Sequence, residues 1–175
     1  ALTKAFEEHG TAFIHLQEAV TLITQWNGRM DIDTKGSALF RFWLRACRDK
    51  NASVPISHIQ EGQTLGGGAH RNLLRALENA VEELNKRAGK IDLAWGDLHR
   101  GTRGDQSWPI GGLSADGINT LRAVKSFSPD EKGISYVKGG QFCTTVILLK
   151  PEGIISYSAT PFGQNNHPSS AHYTD

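Results

Sequence analysis

The hydrophobic pattern of this chain changes its period once, near the middle of its 175 residues. Up to about residue 90, apolar side chains recur at the spacings of helices. From about residue 133, the chain is instead rich in β-branched and aromatic residues, which favour strands. Helices followed by an antiparallel hairpin predict an α+β fold, with a long irregular connection over residues 91–132 between the two parts.

Helical regions are expected throughout the first half. The first covers residues 2–23, and Gly10 is expected to split it into two helices. The second is Ser37–Cys47, for which the side chain of Thr34 or Ser37 is the expected N-cap. Its apolar residues leave almost no polar face, so this helix is expected to be buried on several sides.

The third helical region covers residues 69–87 and is expected to end at Gly89 in a left-handed C-cap. One face carries an apolar stripe that is expected to join the core, and charged residues on another face are expected to contact water. The stripe consists of Leu73, Leu77, Val81 and Leu84, and the charged face of Glu78, Glu82, Glu83 and Lys86.

Strands are predicted for the last third of the chain. A short strand is expected at residues 134–138 and a longer one at residues 141–149. Residues 150–153 have the sequence Lys-Pro-Glu-Gly, which is typical of a type I turn. Residues 154–159 are therefore expected to return as the partner strand of a hairpin, followed by a polar, turn-rich tail.

Composition and charge exclude several classes of protein. Hydrophobic residues make up 38% and charged residues 21%, which is typical of a folded globular chain. The formal net charge is +1 and the basic residues are scattered, so no nucleic-acid or anionic-membrane surface is predicted. No apolar run reaches the roughly 18 residues of a membrane span. This stretch also has no signal-peptide pattern.

The two cysteines, Cys47 and Cys143, each lie among apolar neighbours. They are predicted to be buried thiols that pack as small hydrophobic residues, since a reactive cysteine needs a cationic, partly exposed setting. Their spacing does not decide whether they pair, because pairing depends on how the fold places them.

Two common signatures of a hydrolase nucleophile are missing. No Gly-x-Ser-x-Gly segment occurs. An N-terminal nucleophile is Ser, Thr or Cys, whereas position one is Ala1. Both ends of the given sequence are expected to be cut points in a longer chain. The helical pattern begins directly at Ala1, and no helix stop precedes Asp175. No catalytic residue is therefore assigned within the chain.

Metal and cofactor sites are not predicted either. His167 and His172 lie five residues apart with Asp175 beyond, which is not the helical spacing of a zinc protease. They are expected to be loop histidines that make hydrogen bonds. The glycines at 66–68 precede a helix but lack the Gly-Lys-Ser/Thr ending of a phosphate loop, so a flexible or tightly turning loop is expected there.

Four tryptophans, at positions 26, 43, 95 and 108, offer aromatic surface for a ligand. Trp43 is expected to lie in the core, whereas the sequence leaves both roles open for Trp95. Without a basic groove beside them, these rings are weak support for carbohydrate or nucleic-acid binding.

Three stretches, in the same order and with similar spacing, resemble the penicillin-acylase and acyl-homoserine-lactone-acylase family of N-terminal-nucleophile amidohydrolases. The first is Trp-Asn-Gly-Arg-Met at residues 26–30, where the family has Trp-Asp-Gly, followed by a helix with a Leu-Phe pair. The second is Trp-Gly-Asp-Leu-His-Arg at residues 95–100. The third and most specific is residues 163–175, which resemble a near-terminal Gly-Gln-Ser-x-x-Pro-x-Ser-x-His-Tyr-x-Asp run.

This resemblance covers about residues 20–175 and implies the C-terminal part of a large subunit. Members of the family are cut from one precursor, and the large subunit begins with a catalytic Ser whose own amine is the base. The implied fold is a four-layer αββα sandwich. The implied location of the enzyme is the periplasm or outside the cell. The implied substrates are acyl amides such as penicillins and acyl-homoserine lactones, which relates the family to antibiotic metabolism and quorum quenching.

Few residue roles transfer from the family to this chain. The nucleophile, the oxyanion Asn and the calcium ligands of some members fall outside the matched segments, so Asn165 and Asn166 receive no catalytic role. Residues 95–100 are expected to form a structural loop in which His99 and Arg100 bond backbone carbonyls. The whole chain, residues 1–175, is interpreted as one segment of the large-subunit domain, with the rest of that subunit and the small subunit as partners.

The sequence leaves two other functions open besides a scaffold segment of an amide hydrolase. One is a non-catalytic binding module on the same scaffold. The other is an unrelated lectin-like or structural domain. If the scaffold interpretation is right, the 175-residue chain alone should leave sheet edges and apolar surface uncovered, and should be poorly soluble or associate.

Overall fold

The computed structural model describes residues 1–61, 63–141, 144–159 and 166–173. Helices come first, joined by a 3₁₀ turn at Ile14–Leu16. They are α1 Leu2–His9, α2 Gln17–Thr24, α3 Ser37–Cys47, α4 Ile56–Gln60, α5 Gly67–Ala88 and α6 Trp95–Leu98. Strands follow as β1 His99–Arg103, β2 Gln106–Pro109, β3 Ser114–Ala115, β4 Ile118–Asn119, β5 Val124–Ser126, β6 Ser135–Gly140, β7 Thr144–Lys150 and β8 Gly153–Ala159.

The order of helices and then strands confirms the predicted α+β class. The expected split of the first region after Gly10 is also confirmed, since α1 and α2 are separate helices. No helix in the described ranges is both long enough and apolar enough to cross a membrane.

The main hydrophobic core lies between α1, α3 and α5. Leu39 of α3 and Leu74, Leu77 and Leu84 of α5 have no measurable exposure. Each leucine removed from water contributes about 1.5–3 kcal/mol, so this seam stabilises the helical layer. The indole N–H of Trp43 also donates to the Leu73 carbonyl at 3.0 Å, and its burial confirms the predicted core position.

Histidines connect the N-terminal helical region to α5. The imidazole N–H of His70, which is buried, donates to the Glu8 carboxylate at 2.6 Å, and this hydrogen bond lowers the pKa of Glu8. His15 contacts the Glu78 carboxylate at 2.6 Å. The apolar stripe of α5 is therefore flanked by polar contacts that hold α1 and the 3₁₀ turn against it.

The end of α5 follows the prediction. Gly89 adopts a left-handed conformation with φ 77°, and its N–H donates to the Asn85 carbonyl at 2.8 Å. A residue with a Cβ is strained in this region, which explains why glycine ends the helix here.

The predicted caps of α3 are wrong. Gly36 occupies the N-cap position with φ 87°, and a Cβ there would lie 2.7 Å from the Leu22 carbonyl oxygen. Ser37 is instead the first residue of the helix, and its hydroxyl donates back to the Thr34 carbonyl. The close approach of α2 to this turn requires glycine at the cap. No residue of α3 is classed as exposed, which confirms its expected burial.

Residues 91–132, predicted to be irregular, contain α6 and most of a sheet. Four strands pair in the order β2-β1-β6-β5, with β1 parallel to β6 and the other neighbours antiparallel. A separate small hairpin joins β3 to β4. These strands are two to six residues long. Such short strands show too few alternations for the period of two to be recognised.

The last hairpin, β7–β8, matches the prediction closely. Its register runs from Thr144 opposite Ala159 to Lys150 opposite Gly153, around the expected turn. Both of its faces carry exposed apolar side chains. Residues paired directly across the strands share a face, so Val146 and Tyr157 lie on one face and Leu149 and Ile154 on the other.

Candidate functional site where three sequence stretches meet

The first two stretches noted in the sequence are joined by backbone hydrogen bonds around α6. The Trp95 N–H donates to the Thr34 carbonyl at 2.9 Å, and the Gly96 N–H donates to the Ile32 carbonyl at 2.8 Å. The side chain of Met30, from the first stretch, packs in the small buried cluster that contains Trp95. The loop between α2 and α3 is therefore fastened to the start of α6.

Gly96 makes this contact possible. A Cβ at this position would lie 2.5 Å from the Pro109 Cβ and 2.8 Å from the Ile32 carbonyl oxygen. Neither distance is compatible with a side chain, so the Trp-Gly pair places a large ring beside a point of close backbone approach.

Trp95 and His99 form the centre of the site. Their rings stack with centroids 4.8 Å apart and an interplanar angle of 26°. Trp95 is 1% exposed and His99 is fully buried. The two residues are four positions apart, at the start of α6 and the start of β1, so a single helical turn brings the rings together.

The environment of His99 keeps its imidazole neutral. Its Nδ1–H donates to the Ile110 carbonyl at 2.8 Å. Burial lowers the pKa of His99 to about 4, and the nearby positive charges of Arg41 and Arg122 act in the same direction. Within the described part of the chain, His99 Nε2 and Trp95 Nε1 have no hydrogen-bond partner.

Arg41 places a buried positive charge next to these rings. Its guanidinium lies 5.8 Å from the centroid of the Trp95 ring and donates to Asp116 at 2.8 Å and to Ser135 at 2.9 Å. Arg45 approaches the same carboxylate at 3.3 Å. Sequence reasoning missed Arg41, although an arginine between the apolar residues Phe40 and Phe42 of a helix expected to be buried was the available signal.

Arg100 binds backbone carbonyls, as predicted. Its guanidinium donates to the carbonyls of Gly96 and Ser107, at 3.2 Å and 2.9 Å. With the bond from His99 to Ile110, this confirms the predicted contacts with backbone carbonyls. The predicted loop is wrong, because residues 95–100 form α6 and the first two residues of β1. Their polar groups hold α6, β1 and β2 together.

Arg103 of β1 contacts the third stretch noted in the sequence, residues 163–175. Its guanidinium lies over the Tyr173 ring, 4.2 Å from the centroid, and donates to the Tyr173 carbonyl at 2.8 Å. It also donates to the amide oxygen of Asn166. Tyr173 is buried, so one side chain of β1 anchors both ends of the described segment 166–173.

These three stretches match a known family as one unit. The family model for penicillin amidase aligns with residues 3–175. The chain belongs to the penicillin amidase family. A search of curated proteins returned no match. The family match confirms the resemblance. In this penicillin amidase family chain, residues of the first and third stretches contact α6 and β1, which carry the second.

Two of the three residues considered as possible metal ligands, His167 and His172, lie in the described segment 166–173. The described part of the chain contains no cluster of three or more His, Cys, Asp or Glu that could hold a metal ion. The Ser169 hydroxyl lies 2.7 Å from His167 Nδ1, and the His172 N–H donates to the Ser170 hydroxyl at 3.2 Å. These contacts shape an exposed loop. Asp175 lies outside the described residues.

The glycines and tryptophans have structural positions. Gly66 is the extended N-cap residue of α5, and the two glycines after it are the first residues of that helix. Trp26 is half-buried against Phe40, with ring centroids 4.9 Å apart, and its indole donates to the Arg29 carbonyl. Trp108 is half-buried in β2. Trp95, for which both roles were open, lies in the core.

The remaining candidates for a reactive side chain are the two cysteines and the Ser169–His167 pair. Burial raises the pKa of Cys47 to about 12, which keeps it a thiol and confirms its predicted packing role. Cys143 lies outside the described residues. Ser169 and His167 are neighbours on one exposed loop, two residues apart in the chain.

Proposed function

We propose that this chain is a scaffold segment of an amide hydrolase of the penicillin-acylase type. In this proposal the full enzyme hydrolyses acyl amides, of the penicillin or acyl-homoserine-lactone type, with an N-terminal Ser located outside the chain. The observation that carries the proposal is the family match over residues 3–175. The partners are the remainder of the large subunit and the small subunit, in the periplasm or outside the cell.

The exposed hairpin supports a layered arrangement. Val146 and Tyr157 on one face, and Leu149 and Ile154 on the other, are each at least 60% exposed. Apolar side chains on both faces of a two-stranded ribbon favour burial between two layers. In an αββα sandwich, each sheet lies between a helical layer and the second sheet. The proposal therefore places β7–β8 inside that sandwich, with residues 1–175 as one segment of the large-subunit domain.

The buried site supports a structural role for this part of the enzyme. His99, Arg41, Arg100 and Arg103 all direct polar atoms at backbone carbonyls or at other residues of the chain. Such contacts hold α6, β1 and residues 166–173 in fixed positions. A scaffold of this kind provides the rigid support that a nucleophile on a neighbouring strand needs.

The experiment compares amide hydrolysis by two preparations. One is the purified 175-residue chain, and the other is the complete processed protein, both assayed with chromogenic short and long acyl-anilides. We expect turnover only from the complete protein, and replacement of its N-terminal nucleophile by Ala should abolish it. Turnover by the 175-residue chain alone would place an active site within it. A complete protein that retains acyl amides without cleaving them would be the non-catalytic binding module.

A further inference from the structure

The turn at Asn27 and Gly28 has the features of a chemically reactive site. Both residues are exposed in the loop between α2 and α3. Gly28 has φ 77°, and a Cβ added to it would meet no atom within 4 Å. The residue after Asn27 therefore carries no side chain, and no group beyond its chain neighbours fills the space where one would lie.

A hydrogen bond holds the Asn27 side chain over this peptide. The Arg29 N–H donates to Asn27 Oδ1 at 2.9 Å, which folds the side-chain amide back along the main chain. The Gly28 nitrogen and Asn27 Cγ are separated by three carbon atoms, so a bond between them closes a five-membered ring. The Gly28 N–H donates to no backbone carbonyl among the described residues.

We propose that Asn27 is a site of spontaneous deamidation in the folded protein. A base removes the Gly28 amide proton, and the nitrogen attacks Asn27 Cγ. The new N–C bond forms as the C–Nδ2 bond breaks, and ammonia leaves after Nδ2 takes up a proton. Water then opens the cyclic imide at one of its two carbonyls, which leaves an aspartyl residue at this position in either the normal or the isoaspartyl linkage. No oxidant or reductant is involved.

The Arg29 N–H assists the attack step. Negative charge develops on Asn27 Oδ1 as the Gly28 nitrogen adds to Cγ, and the donor is already 2.9 Å from that oxygen. A backbone N–H aimed at a developing oxyanion lowers the barrier of such additions. The same turn geometry that orders the loop therefore promotes its modification.

The modification would disturb the loop that fastens α6. A new carboxylate would lie two residues before Arg29, which already pairs with Asp31 at 2.7 Å. The isoaspartyl form also adds one carbon to the main chain between Trp26 and Arg29, whose indole-to-carbonyl bond is 2.7 Å long. Both changes act on the turn that leads to Met30 and the Trp95 cluster.

The Asp116-Gly117 pair is an internal control of the same general chemistry. Its carboxylate is held by Arg41 and Arg45, and a Cβ on Gly117 would collide with the Arg48 guanidinium. This crowded turn is expected to remain unmodified in the folded protein and to rearrange only after unfolding.

The test incubates the full-length protein at mildly acidic, neutral and mildly alkaline pH, followed by mass analysis of tryptic peptides and chemical detection of isoaspartyl bonds. The peptide of residues 5–29 contains Asn27 as its single asparagine. We expect the mass change from amide to carboxylate in that peptide, at a rate proportional to hydroxide concentration. The Asp116 peptide should gain no isoaspartyl bonds while the protein is folded.

Matched variants separate the mechanism from other losses of the amide. Asn27→Gln removes the five-membered ring and should remain unmodified. Gly28→Val adds bulk beside the nitrogen at a strained φ of 77° and should slow the reaction. A folded protein that keeps Asn27 intact, while the unfolded chain loses the amide rapidly, would show that the turn protects the residue and would overturn the proposal. This readout is independent of amide hydrolysis by the enzyme.

Discussion

The imidazole of His99 lies out of contact with water, stacked on Trp95 and bonded to the Ile110 carbonyl. A proton added to it would have no described acceptor at Nε2 and would face the positive charge of Arg41. Single side chains of this kind decide how the junction of α6 and β1 responds to pH and to substitution.

Mild acid is expected to destabilise the protein through His99. Burial lowers the pKa of His99 to about 4 in the folded state, against 6.5 when unfolded. The contribution of the neutral His99 imidazole to the free energy of unfolding is complete above pH 6.5. It is lost as pH falls from 6.5 towards 4, because the unfolded state binds the proton first. The loss from this residue should reach about 2 kcal/mol at about pH 5.

Urea unfolding at about pH 7.5 and about pH 5 measures this loss. His99→Gln keeps a donor for the Ile110 carbonyl but does not titrate, so its stability should depend less on pH by the same amount. The exposed His58→Gln variant should keep the wild-type difference. Equal pH dependence in wild type and His99→Gln would contradict the role of His99.

Arg103 makes a second residue-scale prediction. Its planar guanidinium lies over the Tyr173 ring while its N–H groups donate to two oxygens, a combination that a lysine ammonium cannot reproduce. Arg103→Lys is therefore expected to increase hydrogen exchange in residues 166–173 while leaving the α5 amides unchanged. The exposed Arg71→Lys is the control, and unchanged exchange in Arg103→Lys would refute the anchor.

At the scale of elements, α6 is only four residues long and depends on its neighbours. Its first two N–H groups donate to the loop between α2 and α3, and its tryptophan covers the start of β1. An isolated helix of this length is unstable in water, so tertiary contacts maintain it.

Gly96→Ala is expected to disrupt this element. The new methyl group would lie within 3 Å of Pro109 Cβ and of the Ile32 carbonyl oxygen, so α6 must move away from both. We expect a loss of about 1–3 kcal/mol in the free energy of unfolding, which is typical of overpacking. Gly139→Ala, where a Cβ meets nothing within 4 Å, should cost much less in the same thermal or urea denaturation assay.

For the whole molecule, the helical layer and the hairpin β7–β8 differ in how much of their apolar surface is buried. The helical layer encloses a continuous core, whereas β7–β8 exposes apolar side chains on both faces. Exposed patches of this kind, together with free strand edges, promote association.

The 175-residue chain alone is expected to self-associate through this hairpin. Replacing Val146 and Leu149, which lie on opposite faces, by Lys should reduce association without unfolding the helical layer. Sedimentation velocity measures the size distribution, and circular dichroism checks the helices. The control replaces the exposed Leu121, outside the hairpin, by Lys. A monodisperse wild-type monomer would contradict this expectation.

Several elements were predictable because their signals are local. The helix Ser37–Cys47, the left-handed Gly89 and the turn before Gly153 follow from periodicity and from backbone preferences of single residues. The caps of α3 were not predictable. The need for Gly36 comes from the Leu22 carbonyl, which only the packing of α2 brings near.

The sequence by itself determined the α+β order, the positions of the long helices and the last hairpin, and the family of the chain. These depend on side-chain periodicity and on residues in fixed order. Only the tertiary structure decided that Arg41, Trp95 and His99 share one buried cluster and that Arg103 holds Tyr173. Arg41 and Trp95 lie far apart in the chain, as do Arg103 and Tyr173. The charge state of a buried group such as His99 depends on its surroundings, which no local pattern records.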